Sequence, residues 1–209
     1  MYYAAFEGTV PEEKNALSGR FYNTLLPKLK QIDGFTDESG FVSRSDKHTS
    51  LTLSRWEDVA ALKRWRNEET HLRIQNKASS DVYSWYRLRI GPSETHDGIE
   101  HDEDGMARIM VMVHKPKDAE KQVAHGIEAL IDRDAGGDGW NGLVDFDEYE
   151  GETGLLWLTG WRTPFDAARF MNAIRADSGS VTCVRVERDY TKVERRQAPS
   201  ETPGVRQED

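Results

Sequence analysis

LTLSRWEDVAALKRWRNEETHLRIQNKASSDVYSWYRLRI, residues 51–90, decides the fold. Leu51 and Leu53 alternate with Thr52 and Ser54 up to Trp56, the period of a strand. From Glu57 the period lengthens: Val59, Leu62 and Trp65 recur at three-residue steps and form the inward stripe of a helix. The end alternates again, with Tyr83, Trp85, Arg87 and Arg89 on one face and Tyr86, Leu88 and Ile90 on the other.

Upstream, YYAAFEGTV is β-prone and stops at Pro11. The next segment places Ala16, Leu17, Phe21, Leu25, Leu26 and Leu29 on one helical face. Pro27 should kink or end that helix, and Gly34 stops it. GFVSRS and SLTLSRW are strands joined by SDKHT, which has turn chemistry. The first half therefore reads β-α-β-β-α-β.

Downstream the same order returns. MARIMVMVHK is a strand, PKDAEKQVAHGIEALIDRD a helix begun by Pro116, and GLVDFDEYE and GLLWLTGW are paired strands. FDAARFMNAIRA is a helix and VTCVRVERDY the closing strand. Sliding the chain by about 105 residues puts Leu51 on Leu156, Leu53 on Leu158 and Trp56 on Trp161, and also Arg64 on Arg169, Trp65 on Phe170 and Asn67 on Asn172. So many matches at one strand–helix corner indicate an internal repeat.

Each half has the split βαβ, ferredoxin-like plan, a four-stranded antiparallel sheet with both helices on one face. The bare face needs covering. The expected fold class is therefore α+β, two ferredoxin-like units forming a pseudo-dimeric α+β barrel within the chain, with a homodimer left open. The expected boundaries are 1–91 for the first domain, 92–105 for a linker, 106–193 for the second domain and 194–209 for a disordered tail. The linker holds six acids and no Lys or Arg, a run that repels itself and stays solvated.

Composition narrows the function classes. The 209 residues carry a net charge of -9, and no basic stripe is present to collect a phosphate backbone, so nucleic acid is not an expected partner. No run approaches the roughly 18 apolar residues of a membrane span, and the N-terminus lacks the pattern of a secretory leader. A single cysteine, Cys183, rules out an internal disulfide, and the expected address is the cytoplasm. His96, His101 and the five acids beside them match no rigid ligand spacing, so no metal is expected. The glycines of residues 134–142 lack the strand–helix context of a nucleotide fingerprint.

Residues 51–90 resemble the antibiotic-biosynthesis monooxygenase family of the dimeric α+β barrel superfamily. The resemblance rests on a strand ending in Trp56, an acidic pair, a helix carrying Trp65-Arg66-Asn67, then His71 and the strand with Tyr86-Arg87-Leu88-Arg89. It covers residues 2–91 and is faint over 106–193, where Ala176 stands in place of a second histidine. It implies a pocket between sheet and helices and, in some members, oxygenation of aromatic polyketides without metal or flavin. In those members an Asn one helical turn before the Trp polarises the substrate; here Ala61 holds that place. In the haem-degrading branch the axial His follows the Trp by ten residues; here that residue is Gln75.

The resemblance implies a cofactor-independent monooxygenase that takes a small aromatic or quinonoid molecule and molecular oxygen. Trp56, Trp65 and Tyr86 would line the pocket, His71 would act as general base and Asn67 would orient the substrate. Each has a plainer reading beside this: Trp56, Trp65 and Tyr86 as core, Asn67 as a cap before Glu68-Glu69, and His71 as a surface or capping residue. Six residues along a continuous helix put His71 about 240° round from Trp65, and only a break near Asn67 would change that. The alternatives are a haem-binding or haem-degrading protein with His71 as ligand, and a small-ligand-binding protein without catalysis.

Overall fold

The computed structural model describes residues 1–94, 108–116, 143–175 and 180–199. The chain divides into two units. The first comprises Met1–Ser39, Thr52–Ile90 and the chain from Arg188 on, the second Gly40–Leu51 and Gly91–Glu187.

The first unit contains β1 (Tyr2–Thr9), a turn of 3₁₀ helix at Glu12–Lys14, α1 (Asn15–Leu29), β2 (Phe35–Ser43), β3 (Thr49–Trp56), α2 (Val59–Arg66), α3 (Glu69–Asp81) and β4 (Trp85–Pro92). Its strands lie in the order β4-β1-β3-β2, the ferredoxin-like arrangement. The tips of β2 and β3, Gly40–Leu51, count with the second unit. Between those strands Asp46 makes the expected turn, its carboxylate accepting from the His48 N–H at 3.0 Å and the Thr49 hydroxyl at 2.6 Å.

Local chemistry sets the helix ends. Asp58 is extended (φ -151°) and accepts from the Ala61 N–H at 2.7 Å, which starts α2. Leu29, Trp56 and Ala61 are buried together, with Phe35, Leu62 and Trp65 against them. Pro27 does not end α1 where it stands. The helix runs on to Leu29, because a proline in the last turn costs one backbone bond only. Ala16, expected inward, is exposed. Gly34 has φ 81°, a left-handed conformation suited to glycine, and its carbonyl accepts from the Glu57 N–H at 2.9 Å.

The second unit contains β5 (Ile109–Pro116), β6 (Leu143–Gly151), β7 (Gly154–Trp161), α4 (Pro164–Arg175) and β8 (Ser180–Arg185). The order β8-β5-β7-β6 repeats that of the first unit. Val111, Leu155, Trp157, Trp161, Phe170 and Ile174 are buried in one core. The helix expected at 116–134 and the loop at 134–142 lie outside the described residues, apart from Pro116 at the end of β5.

The repeat holds in detail. β3 and β7 begin at Thr49 and Gly154 and end at Trp56 and Trp161, and α2 and α4 begin at Val59 and Pro164. Trp56 Nε1 donates to Ser54 Oγ at 3.0 Å, and Trp161 Nε1 donates to Thr159 Oγ1 at 2.8 Å. Asp58 caps α2, and Thr163 caps α4 by accepting from the Asp166 N–H at 3.1 Å. One corner is built twice from the same bonds. The fold class is α+β, with two ferredoxin-like units.

Several boundaries differ from the sequence reading. The closing strand of the second half is two strands, β8 and then β9 (Arg188–Thr191). β9 belongs to the first unit and pairs antiparallel with β4, Leu88 opposite Tyr190 and Ile90 opposite Arg188. Strand β4 extends to Pro92, Ser93 bridges to Val184, and the Glu94 N–H donates to the Cys183 carbonyl at 3.0 Å, so the first residues assigned to the linker are hydrogen-bonded. The tail from Glu194 also makes contacts, described below. Cys183 is buried, and burial together with Glu94 pushes its thiol up to about 12, which leaves it inert as a nucleophile. Among the described residues no helix is long and apolar enough to cross a membrane.

Candidate functional site

The helix that carries Trp65 does not continue to His71. It ends at Asn67 (φ -91°, ψ 1°), and Glu68 is extended (φ -64°, ψ 127°) before α3 begins. Asn67 is thus the C-terminal cap of α2, exposed, and the N-terminal cap of α3 is Glu68 instead. The Glu68 carboxylate accepts from the His71 N–H at 2.7 Å and from Lys28 Nζ at 3.0 Å. Burial alone would raise this carboxyl, but those bonds hold it below the usual carboxylate range.

The break turns α3 so that the His71 imidazole lies flat on the Trp65 indole, with ring centroids 4.2 Å apart and planes 17° apart. His71 Nδ1 lies 3.0 Å from the Trp65 carbonyl oxygen. A carbonyl only accepts, so Nδ1 carries the proton and the neutral ring keeps its lone pair on Nε2. Burial pushes the imidazole below its ordinary value, against the opposite pull of the Trp65 and Arg66 carbonyls and of Glu68. Burial thus favours the neutral ring. A neutral, desolvated imidazole of fixed tautomer beside an indole can take a proton from a bound molecule.

Tyr86 belongs to a second group. It is buried on the side of β4 that meets α3, and its hydroxyl lies 3.4 Å from Ser79 Oγ. Its ring stacks on Phe6 at 5.9 Å and meets Tyr83 edge-on at 6.2 Å. Arg195 Nη1 donates to the Tyr86 hydroxyl at 2.5 Å, and its guanidinium carbon lies 5.7 Å from the Tyr190 ring centroid. Tyr190 is buried, which raises its phenol. Trp56 is 1% exposed, its indole N–H satisfied by Ser54, in the buried cluster against which Trp65 packs. Of the site residues expected from sequence, His71 stacks on Trp65, Trp65 packs against the cluster that buries Trp56, Tyr86 lies among other aromatics, and Asn67 is exposed.

The sequence reading missed Tyr190 and Arg195, which fall at the end of the second half and in the tail. Their signal was the alternation of Arg188, Tyr190 and Lys192, which marks a strand without saying which sheet it joins. Among the described residues no three His, Cys, Asp or Glu side chains gather as a metal site.

The sequence profile described as antibiotic biosynthesis monooxygenase matches residues 1–77. A protein of Pyricularia oryzae named jasmonate monooxygenase ABM is 32% identical over 203 residues, covering 86% of this chain and 88% of its own. Among solved structures, one titled an antibiotic biosynthesis monooxygenase is 17% identical, with a TM-score of 0.41, over 46% of this chain and 100% of that one. Another, an anthrone oxidase-like protein, is 13% identical, with a TM-score of 0.38, over 95% of this chain and 96% of its own. With a 32% identical relative along most of its length and the profile match over its first unit, the chain belongs to the antibiotic biosynthesis monooxygenase family.

Proposed function

We propose that the protein is a monooxygenase acting in its first unit, on a small aromatic or quinonoid compound with an activated C–H, and using no cofactor. His71 Nε2 removes the proton. The resulting carbanion reacts with molecular oxygen to a hydroperoxide, which loses water to leave a carbonyl. In sum, R–CH2–R′ and O2 give R–CO–R′ and H2O, so the substrate supplies all the electrons. The observation that carries this reading is the imidazole stacked on Trp65 with its Nδ1 3.0 Å from a backbone carbonyl, which leaves Nε2 to act as the base. Trp65 offers a flat wall to an aromatic ring. Asn67, exposed at the end of α2, is left out of this mechanism.

The Pyricularia relative favours a second substrate class. Jasmonate, for which it is named, is an alicyclic ketone acid, and the methylene beside its ketone is activated in the same way.

The test is oxygen uptake by the purified protein with anthrone- and hydroquinone-like compounds and with jasmonate. One oxygen consumed per substrate is expected, with His71→Ala losing at least tenfold in kcat and little in KM. Absence of uptake with every compound, or an unchanged His71→Ala, would overturn the reading. A saturable one-to-one Soret shift on titration with haemin, abolished by His71→Ala, would replace it with haem binding.

A further inference from the structure

The chain is acidic, at -9, yet one place in its first unit gathers cations. In the β4–β9 ladder Arg188 pairs with Ile90 and Tyr190 with Leu88, so the side chains of Arg188 and Tyr190 share the face that carries Tyr86. Asp189 points the other way, where Arg87 holds it in a fork at 2.9 and 2.7 Å. The acid of this strand is therefore neutralised behind the sheet, while its basic neighbours stand in front.

Those neighbours are bound only to neutral groups. Arg195 donates to the Tyr86 hydroxyl and lies over the Tyr190 ring, and Lys192 Nζ donates to the Tyr83 carbonyl at 2.6 Å. Among the described residues none of Arg188, Lys192 and Arg195 has a carboxylate partner. In contrast, Arg44, Arg55, Arg87, Arg89 and Arg185 each have one. The charges of Arg195, Arg66 and Arg188 all pull the Tyr190 phenol down against the effect of its burial.

A guanidinium resting on a hydroxyl and a ring face keeps donors for an anion, and its planar fork matches a carboxylate. The rings beneath it, Tyr86 and Tyr190, are buried, so the guanidinium is seated on a packed base. We infer that this is an acid-binding site: Arg195, over the Tyr190 ring, and Arg188, two residues before Tyr190 on the same face, hold the carboxylate of an organic acid. That the acid is the substrate rests on the monooxygenase reading; that it binds does not.

The test is calorimetric titration of the full chain at low salt with jasmonate, 1-naphthoate and the methyl ester of each. Each acid should bind at least tenfold more tightly than its ester, and added salt should narrow the gap. Arg195→Gln and Arg188→Gln should each weaken acid binding fivefold or more and leave ester binding within twofold, with circular dichroism unchanged. Equal behaviour of acids and esters in the wild type, whether both bind or neither does, would overturn the inference. So would a preference that survives both substitutions. Binding is read without turnover, so acid preference without oxygen uptake defeats only the proposed reaction, and oxygen uptake with esters as good as acids defeats only the carboxylate site.

Discussion

The His71 imidazole and the Trp65 indole are parallel within 17° at 4.2 Å, although six residues of unbroken helix would hold them on different faces. The pair exists because α2 stops at Asn67 and α3 restarts at Glu68. The candidate base is thus positioned by a helix break, and its tautomer by the carbonyl that the break leaves at the end of α2.

The pH dependence follows from burial. Burial holds the folded imidazole below its ordinary value, which favours the neutral, base-competent form. The kcat/KM profile should show its acid limb below the ordinary histidine range, and His71→Ala should abolish that limb. Because the folded state holds the proton less readily than the unfolded chain, His71 contributes stability above pH 6.5 that is lost as pH falls through the folded pKa. Urea melts of wild type and His71→Ala between pH 5 and 8 should converge at the acid end.

Glu68 should be a structural control. Glu68→Ala removes the cap of α3 and the partner of Lys28 and is expected to cost about 1 kcal/mol in urea denaturation. Substrate affinity should weaken as the Trp65–His71 stack loosens. An unchanged melt would show that α3 does not depend on this cap.

The two tryptophan corners should respond alike. Trp56→Phe and Trp161→Phe each remove an indole N–H bonded to a hydroxyl two residues earlier. Each should cost roughly 1–3 kcal/mol. Trp161→Phe should be the more severe, because Thr159 is fully buried. Neither is expected to move the pH profile of turnover.

Gly34→Ala should be among the costly small changes. The added Cβ would meet Ala61 Cβ at 2.7 Å, at a φ of 81°. A loss of about 1–3 kcal/mol is expected from strain and overlap together. Thermal or urea unfolding checks it.

The repeat was legible because periodicity and caps are local. Ser54 and Thr159, two residues before their tryptophans, and Asp58 and Thr163, at the helix starts, are written in the chain at matching positions. The site was only half legible. His71 was read as a candidate, but its partner depended on whether the chain bends at Asn67, which propensity alone does not decide. Asn67 and Glu68 both suit a cap, and the longer side chain, drawn also toward Lys28, takes it. Tyr190 and Arg195 were not legible at all, since a strand's alternation tells which residues share a face and not which edge it joins.

Strand β9 also has a consequence for biosynthesis. The first unit's β4 edge is filled by residues 188–191, almost a hundred positions later in the chain, and the cation over Tyr190 comes later still. A ribosome that has delivered every residue of the first 90 has therefore not delivered the first unit. Its β4 edge stays open, and its Tyr86 hydroxyl lacks Arg195, until residues 188–195 have been made.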